Sequence, residues 1–546
     1  MKIHAALLAL LGTTLVSIGC GADSVSVTIT NGTLIGVVDY NDISTVHRFL
    51  GIPYAKPPTG DLRLRHATPL DASFGTLQAS AFGPSCYGSG PQPNASEDCL
   101  TINIWRPSVA EKTEANASLP VLVWFYGGGL AAGYTSNPLS EGTNMVRIST
   151  EIQKPVIVVS VNYRLGSLGF LNGKQMADLG LLNIGMLDQR LALHWIQENI
   201  RAFGGDPFKL TLFGESAGAV SIYSHMMAYG GRDDGLFRGA IMQSGGAFPL
   251  ESPNTTAFQQ TFDALLAKTS CADTSLAKNA TAAEQLDCIR GLPIDVFRAS
   301  VGPKTGQSID GDFTRTSIQF ALPAGKYLKV PTIVGVNTDE GTNSAPKGIN
   351  TTEQLFEPLA QGYFRPQRLP NATVSKLLEL YPTNPRLGCP YNTGETKLTS
   401  GVLDKQACSI FGDLVMVAPA RQFASTLTAD GVPVYRYRFN QLPSGTSPSK
   451  GISTGVEQAY VFSNLDSGAS AWDRALAYEM TSAWVSFAHD LDPNPGGNSM
   501  LPFWREYGNE ANSIVFSGYG SWVEHDTYRS EGIQYIIENV LPDGAL

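Results

Sequence analysis

The sequence predicts an α/β fold, with a mostly parallel central sheet and helices on both faces. Three observations carry that reading. Unbroken apolar runs recur at Val121–Tyr126, Val156–Val161, Leu210–Phe213, Ala240–Met242 and Thr332–Val334. Such runs belong to strands buried on both faces, which parallel sheets covered by helices contain. Leu187–Ile200 places apolar residues at helical spacing between two of these runs, and that alternation defines the class. Finally, Leu210–Ser221 reads as a strand, a glycine-flanked turn and a helix opening.

Taken in order, the chain begins with Lys2 and an uncharged apolar run from Ala5 to Ile18, then Gly19-Cys20-Gly21-Ala22. The run is too short to span a bilayer and reads as a secretory signal peptide over about residues 1–22. Residues 23–546 are expected to form a single domain, extracellular and without a membrane span. Val25–Val38 has the Thr/Val alternation of an antiparallel edge hairpin around Gly32. Val434–Phe439 alternates with period two and predicts a strand with one wetter face.

The net charge of −10, with no basic stretch, argues against nucleic acid as a partner. Beyond Cys20 there are Cys86, Cys99, Cys271, Cys288, Cys389 and Cys408. An even number in an exported chain predicts disulfides, and three sequence-adjacent pairs would close short loops, although other pairings fit the sequence. No C-x-x-C spacing indicates a metal. Sequons at Asn31, Asn94, Asn116, Asn254, Asn279, Asn350 and Asn371 predict a secreted glycoprotein.

The chemistry centres on Gly214-Glu215-Ser216-Ala217-Gly218. A serine on a tight strand-to-helix turn, with glycines two residues either side, stands exposed above the sheet as a nucleophile. The N–H of Ala217 would then face a developing oxyanion. Gly451-Ile452-Ser453-Thr454-Gly455 fits the same pattern, but no helix-opening run follows it. Gly127-Gly128-Gly129, after the first apolar run, leaves backbone N–H groups unobstructed and supplies further oxyanion donors. It lacks the continuation of a phosphate or dinucleotide loop, so no cofactor is expected. Glu340 follows the Thr332–Val334 strand, where an acid that orients an imidazole would stand.

These segments, with Phe49–Ala55, Glu97-Asp98-Cys99-Leu100, Asn162-Tyr163-Arg164-Leu165-Gly166, Leu187-Asp188-Gln189-Arg190 and Phe203–Pro207, closely resemble the type B carboxylesterase/lipase family. The resemblance is dense from about residue 48 to 345. It implies an α/β-hydrolase fold and a Ser–Glu–His triad, with Ser216 forming the acyl-enzyme and Glu340 as the acid. It also implies an oxyanion hole of Gly128, Gly129 and Ala217, and the pairings Cys86–Cys99 and Cys271–Cys288. The family histidine sits in a segment like H-G-x-E-x-x-[FY]-V-F. Here Thr454 begins Thr454-Gly455-Val456-Glu457-Gln458-Ala459-Tyr460-Val461-Phe462. Threonine cannot take a serine proton near neutral pH and return it to a leaving group. Of the other histidines, His489 and His525 keep the chain order serine, acid, histidine. The implied function is a secreted hydrolase of small-molecule esters acting through an acyl-serine. The alternatives are a cholinesterase-like binding protein without catalysis, and an acyl-transfer or ester-forming enzyme of a secondary-metabolite pathway.

Overall fold

The computed structural model describes residues 23–542 apart from 41–43, 110–117, 246–249, 251, 254, 273–279, 303, 362–367, 397, 399 and 498. The leader expected over residues 1–22 and the sequons at Asn116, Asn254 and Asn279 lie outside the described residues.

Among the described residues, thirteen strands form one mixed sheet in the order β1-β2-β3-β5-β7-β6-β8-β9-β10-β11-β12-β13, with β4 beside β2. One end is antiparallel. It holds β1 (Ser24–Ile29), β2 (Gly32–Asp39), β3 (Val46–Pro53) and β5 (Thr101–Pro107), while β4 (Gly75–Gln78) runs parallel to β2. β1 and β2 are the predicted hairpin, turning at Gly32. The rest is a parallel block of β7 (Ile157–Val161), β6 (Leu119–Phe125), β8 (Gly205–Glu215), β9 (Gly239–Gln243), β10 (Thr332–Asn337), β11 (Val434–Phe439) and β12 (Asn512–Phe516). The antiparallel β13 (Trp522–His525) closes the far edge.

The apolar runs are buried for the reason the pattern gives. Every residue of β6, β7, β9 and β10 is buried. Trp124 on β6 packs on Phe213 of β8 at 4.9 Å and on Phe462 at 5.0 Å between ring centroids. Burying each such ring contributes roughly 1.5–3 kcal/mol. The helix predicted at Leu187–Ile200 spans Ile184–Asn199. Its Asp188 accepts from the Arg164 backbone N–H and from both Nε and Nη2 of Arg164, at 3.1, 2.8 and 2.6 Å. This bidentate pair ties the segment after β7 to the helix.

β11 departs from expectation. It is buried on both sides, with only Arg438 partly exposed. Its apparent wet face holds buried Arg436, whose Nε donates to Asp526 at 2.9 Å, and Arg438 paired with Glu524. Those carboxylates arrive from β13 and the residue after it, so alternation here reflects internal ion pairing rather than water.

Disulfides join Cys86 to Cys99 and Cys271 to Cys288. The third expected bridge does not form: Cys389 and Cys408 are buried free thiols. The two thiols stand side by side and hydrogen-bond each other, and each sulfur has a further polar partner. Lys347 Nζ donates to Cys408 Sγ at 3.3 Å, and Cys389 Sγ donates to Asp339 Oδ1 at 3.6 Å.

Candidate active site

The carboxyl ends of four parallel strands converge on the predicted residues, as ligand sites in such sheets do. β8 ends at Glu215, and the helix Ala217–Gly231 starts immediately after Ser216. Ser216 is held at φ 53°, ψ −120°, a conformation side chains rarely adopt. Such strain costs roughly 1–3 kcal/mol and survives only where the surroundings impose it. Here they do. Its N–H donates to Gln243 O of β9 at 2.8 Å, and its carbonyl accepts from Val220 N at 3.0 Å. The flanking glycines are steric necessities, because a Cβ at Gly218 would lie 2.0 Å from Phe125 O.

β6 runs out into Gly127-Gly128-Gly129 beside this turn. An ideal Cβ on Gly127 would lie 2.6 Å from Glu215 Oε2 and 2.9 Å from Ser216 Cβ, so the loop touches the elbow directly. Among the described residues, the N–H groups of Gly128 and Gly129 have no protein acceptor, and both residues are exposed. Ala217 is the first residue of its helix, so its N–H has no intrahelical acceptor. All three N–H groups are therefore free to meet an anion.

Glu340 follows β10 and is 2 % exposed. Its Oε1 accepts from Asn337 N at 2.6 Å and its Oε2 accepts from Thr454 Oγ1 at 2.6 Å. Thr454 is thus the side chain that hydrogen-bonds Glu340 Oε2. Burial pushes the Glu340 carboxyl up to about 7, against the lowering effect of those two hydrogen bonds. Two more buried carboxyls stand close enough to act on it and on each other. Glu215 is raised well above the usual range by burial, then by Glu457 and Glu340, and Glu457 is raised by burial. The sequence reading missed Glu457. Its signal was the glutamate three residues after Thr454, which reaches back to Asn337 Nδ2 at 2.6 Å and Gln243 Nε2 at 3.3 Å.

Among the described residues, none of the six histidines beyond residue 22 is seen to hydrogen-bond Glu340. His47 is buried on β3 and His66 is exposed, with partial desolvation lowering its pKa. His194 lies within Ile184–Asn199. His225 is buried against Phe125 with Nε2 3.0 Å from Gln189 Oε1. His489 pairs with Asp490 at 2.7 Å, and His525 sits on β13 with Nδ1 2.8 Å from Glu510 O. The second G-x-S-x-G has a different part: Ser453 is buried and its carbonyl accepts from Asn337 Nδ2 at 2.7 Å, fixing the loop that carries Thr454. Of the described sequons, Asn94, Asn350 and Asn371 are exposed and Asn31 is half-buried. Among the described residues, no group of acidic, histidine or cysteine side chains has metal-site geometry.

The raised Glu340 carboxyl gives a pH-dependent stability. The folded protein keeps a proton that the unfolded chain releases above its ordinary value of 4.5. The resulting stabilisation is complete below about pH 4.5 and is lost as pH rises through about 7. Glu340→Gln, which does not titrate, is therefore expected to gain stability relative to wild type between pH 5 and 8. Urea midpoints of both proteins across that range check this; a constant difference would contradict it.

The sequence pattern of the Carboxylesterase family matches residues 23–531. Secreted lipase 1 of Botryotinia fuckeliana is 34% identical, over 91% of this chain and 90% of its own. The fumonisin B1 esterase of Sphingopyxis macrogoltabida is 33% identical, over 87% of this chain and 85% of its own. The crystal structure of Aspergillus niger EstA superposes with a TM-score of 0.82 at 27% identity, covering 95% of this chain and 99% of that one. Fold, strand-end geometry and sequence agree that this chain is an α/β-hydrolase and belongs to the carboxylesterase family.

Proposed function

We propose that this protein is a secreted carboxylic ester hydrolase acting on small-molecule esters through an acyl-serine on Ser216, with residues 23–546 working as one catalytic domain. In this reading Ser216 Oγ attacks the ester carbonyl, and Gly128, Gly129 and Ala217 donate to the oxyanion. Glu340 is the acid beside the base position, which Thr454 fills. The observation that carries the reading is Ser216 held at φ 53° against the Gly127–Gly129 loop. A backbone otherwise avoided is maintained where unpaired N–H donors face it. The apolar leader and the relative named a secreted lipase support an extracellular location. Exposed Asn94, Asn350 and Asn371 are then available for glycosylation. Among the described residues no helix is long and apolar enough to cross a membrane.

The hydrogen bond from Thr454 to Glu340 favours a second reading, a binding protein on the same scaffold. Turnover of p-nitrophenyl butyrate with methanol added as a competing acceptor separates the two. The acyl-serine reading expects nitrophenol release together with methyl butyrate, because both products come from one intermediate. Release no faster than in buffer would leave the binding reading. Partition dominated by the added alcohol would favour acyl transfer.

A further inference from the structure

We propose that Glu215 is the base that takes the proton of Ser216 in this chain. The proposal rests on the acyl-serine reading above. Three carboxyls lie buried around the elbow, at 7 % exposure for Glu215, 2 % for Glu340 and 0 % for Glu457. Both oxygens of Glu340 are occupied, by Asn337 N and Thr454 Oγ1. Both oxygens of Glu457 are occupied too, by Gln243 Nε2 and Asn337 Nδ2. Among the described residues, no protein donor hydrogen-bonds the Glu215 carboxyl, so its lone pairs remain available for a reacting proton.

Its placement suits that task. One point at Gly127 lies 2.6 Å from Glu215 Oε2 and 2.9 Å from Ser216 Cβ, so those two atoms are at most 5.5 Å apart. The serine oxygen is one bond beyond that carbon; among the described residues no direct hydrogen bond joins it to Glu215, so in this proposal the proton passes to Oε2 through one bridging water. The other oxygen, Oε1, lies 3.2 Å from where a Cβ on Gly455 would be, beside Thr454. The carboxyl therefore spans the corner between the oxyanion loop and the position where the family keeps its imidazole. A side chain at either glycine would displace it.

In the acylation step the Glu215 carboxylate removes the Ser216 hydroxyl proton as Oγ bonds to the ester carbonyl carbon. The carbonyl electron pair moves onto the oxyanion. When the tetrahedral species collapses, the carbon–alkoxide bond breaks and the protonated Glu215 returns its proton to the leaving alcohol. Water then enters: Glu215 takes its proton, hydroxide adds to the acyl carbon, and the departing Ser216 oxygen recovers the proton. The surroundings fit a carboxyl that must carry a proton near neutral pH. The charges acting on it are Glu457 and Glu340, and it in turn raises the phenols of Tyr163, after β7, and Tyr437, on β11.

The test compares Glu215→Gln in two backgrounds, wild type and Thr454→His, using kcat/KM for p-nitrophenyl butyrate and its pH profile. In the wild-type background Glu215→Gln is expected to lower kcat/KM by about 10²-fold or more, the range general-base catalysis supplies. With an imidazole restored, the same change is expected to cost less than about tenfold, and activity of that double variant also certifies the fold. The acid limb of the wild-type profile should lie above the ordinary carboxyl range and respond to Glu215→Gln. Equal losses in both backgrounds would assign Glu215 a structural part and overturn the proposal. If Thr454→His turns over ester through Ser216 while Glu215→Gln leaves the wild-type rate unchanged, the base assignment alone fails. If neither background turns over ester above the Ser216→Ala protein, the acyl-serine reading fails and takes the base assignment with it.

Discussion

Replacing Thr454 with histidine is expected to raise kcat/KM for a soluble aryl ester by about 10²- to 10⁴-fold, the usual worth of a positioned acid–base group. The argument is geometric. Thr454 Oγ1 already donates to Glu340 Oε2 at 2.6 Å, so a longer side chain from the same backbone meets that carboxyl with its near nitrogen. Its far nitrogen then enters the space toward Ser216. An imidazole titrates near pH 6.5 when unperturbed, and the buried carboxylate at its back favours its charged form. Glu340, held at about 7 by burial, would in turn be drawn toward its ionised form by the new donor. Steady-state rates of both proteins check this. An unchanged rate would mean that the deficit lies elsewhere than at residue 454, in the oxyanion loop or the access to it.

In that histidine-bearing protein, Ser216→Ala is expected to remove the whole gain and return turnover to the buffer rate. Members of a nucleophile–base unit act together, so losing one costs about as much as losing all. The substitution is mild for the fold. The Ser216 side chain is only partly buried, and its backbone bonds to Gln243 and from Val220 do not involve the hydroxyl. Equal thermal midpoints with and without the hydroxyl, alongside a lost rate, give the predicted pattern. Retained turnover in the alanine protein would place the nucleophile at another residue.

The parts of this molecule that were legible in the sequence are those set by local sterics. The elbow was readable because Gly218 sits where any side chain would strike Phe125 O, so the pattern of small residues is compulsory. The parallel block was readable because strands such as Val121–Phe125 are buried on both faces and must be apolar throughout. The antiparallel end was less visible: β5, Thr-Ile-Asn-Ile-Trp-Arg-Pro, is entirely buried yet mixes polar residues into its run. β11 was misread because Arg436 finds Asp526 only through tertiary folding, ninety positions later. The same distance hid the carboxyl cluster. Glu215, Glu340 and Glu457 come from three separate segments, and only the fold places Asn337 between two of them. The Cys389 and Cys408 pair shows the converse limit, since sequence adjacency gave no sign of the Asp339 and Lys347 side chains that engage the thiols.

Treatment of the wild-type protein with a fluorophosphonate, followed by peptide mass spectrometry, tests the central claim most directly. The account predicts a phosphonyl adduct on Ser216, absent from Ser216→Ala and formed faster in Thr454→His. A wild-type protein and a histidine variant that both remain unlabelled at Ser216, or that carry the adduct on another residue, would contradict it.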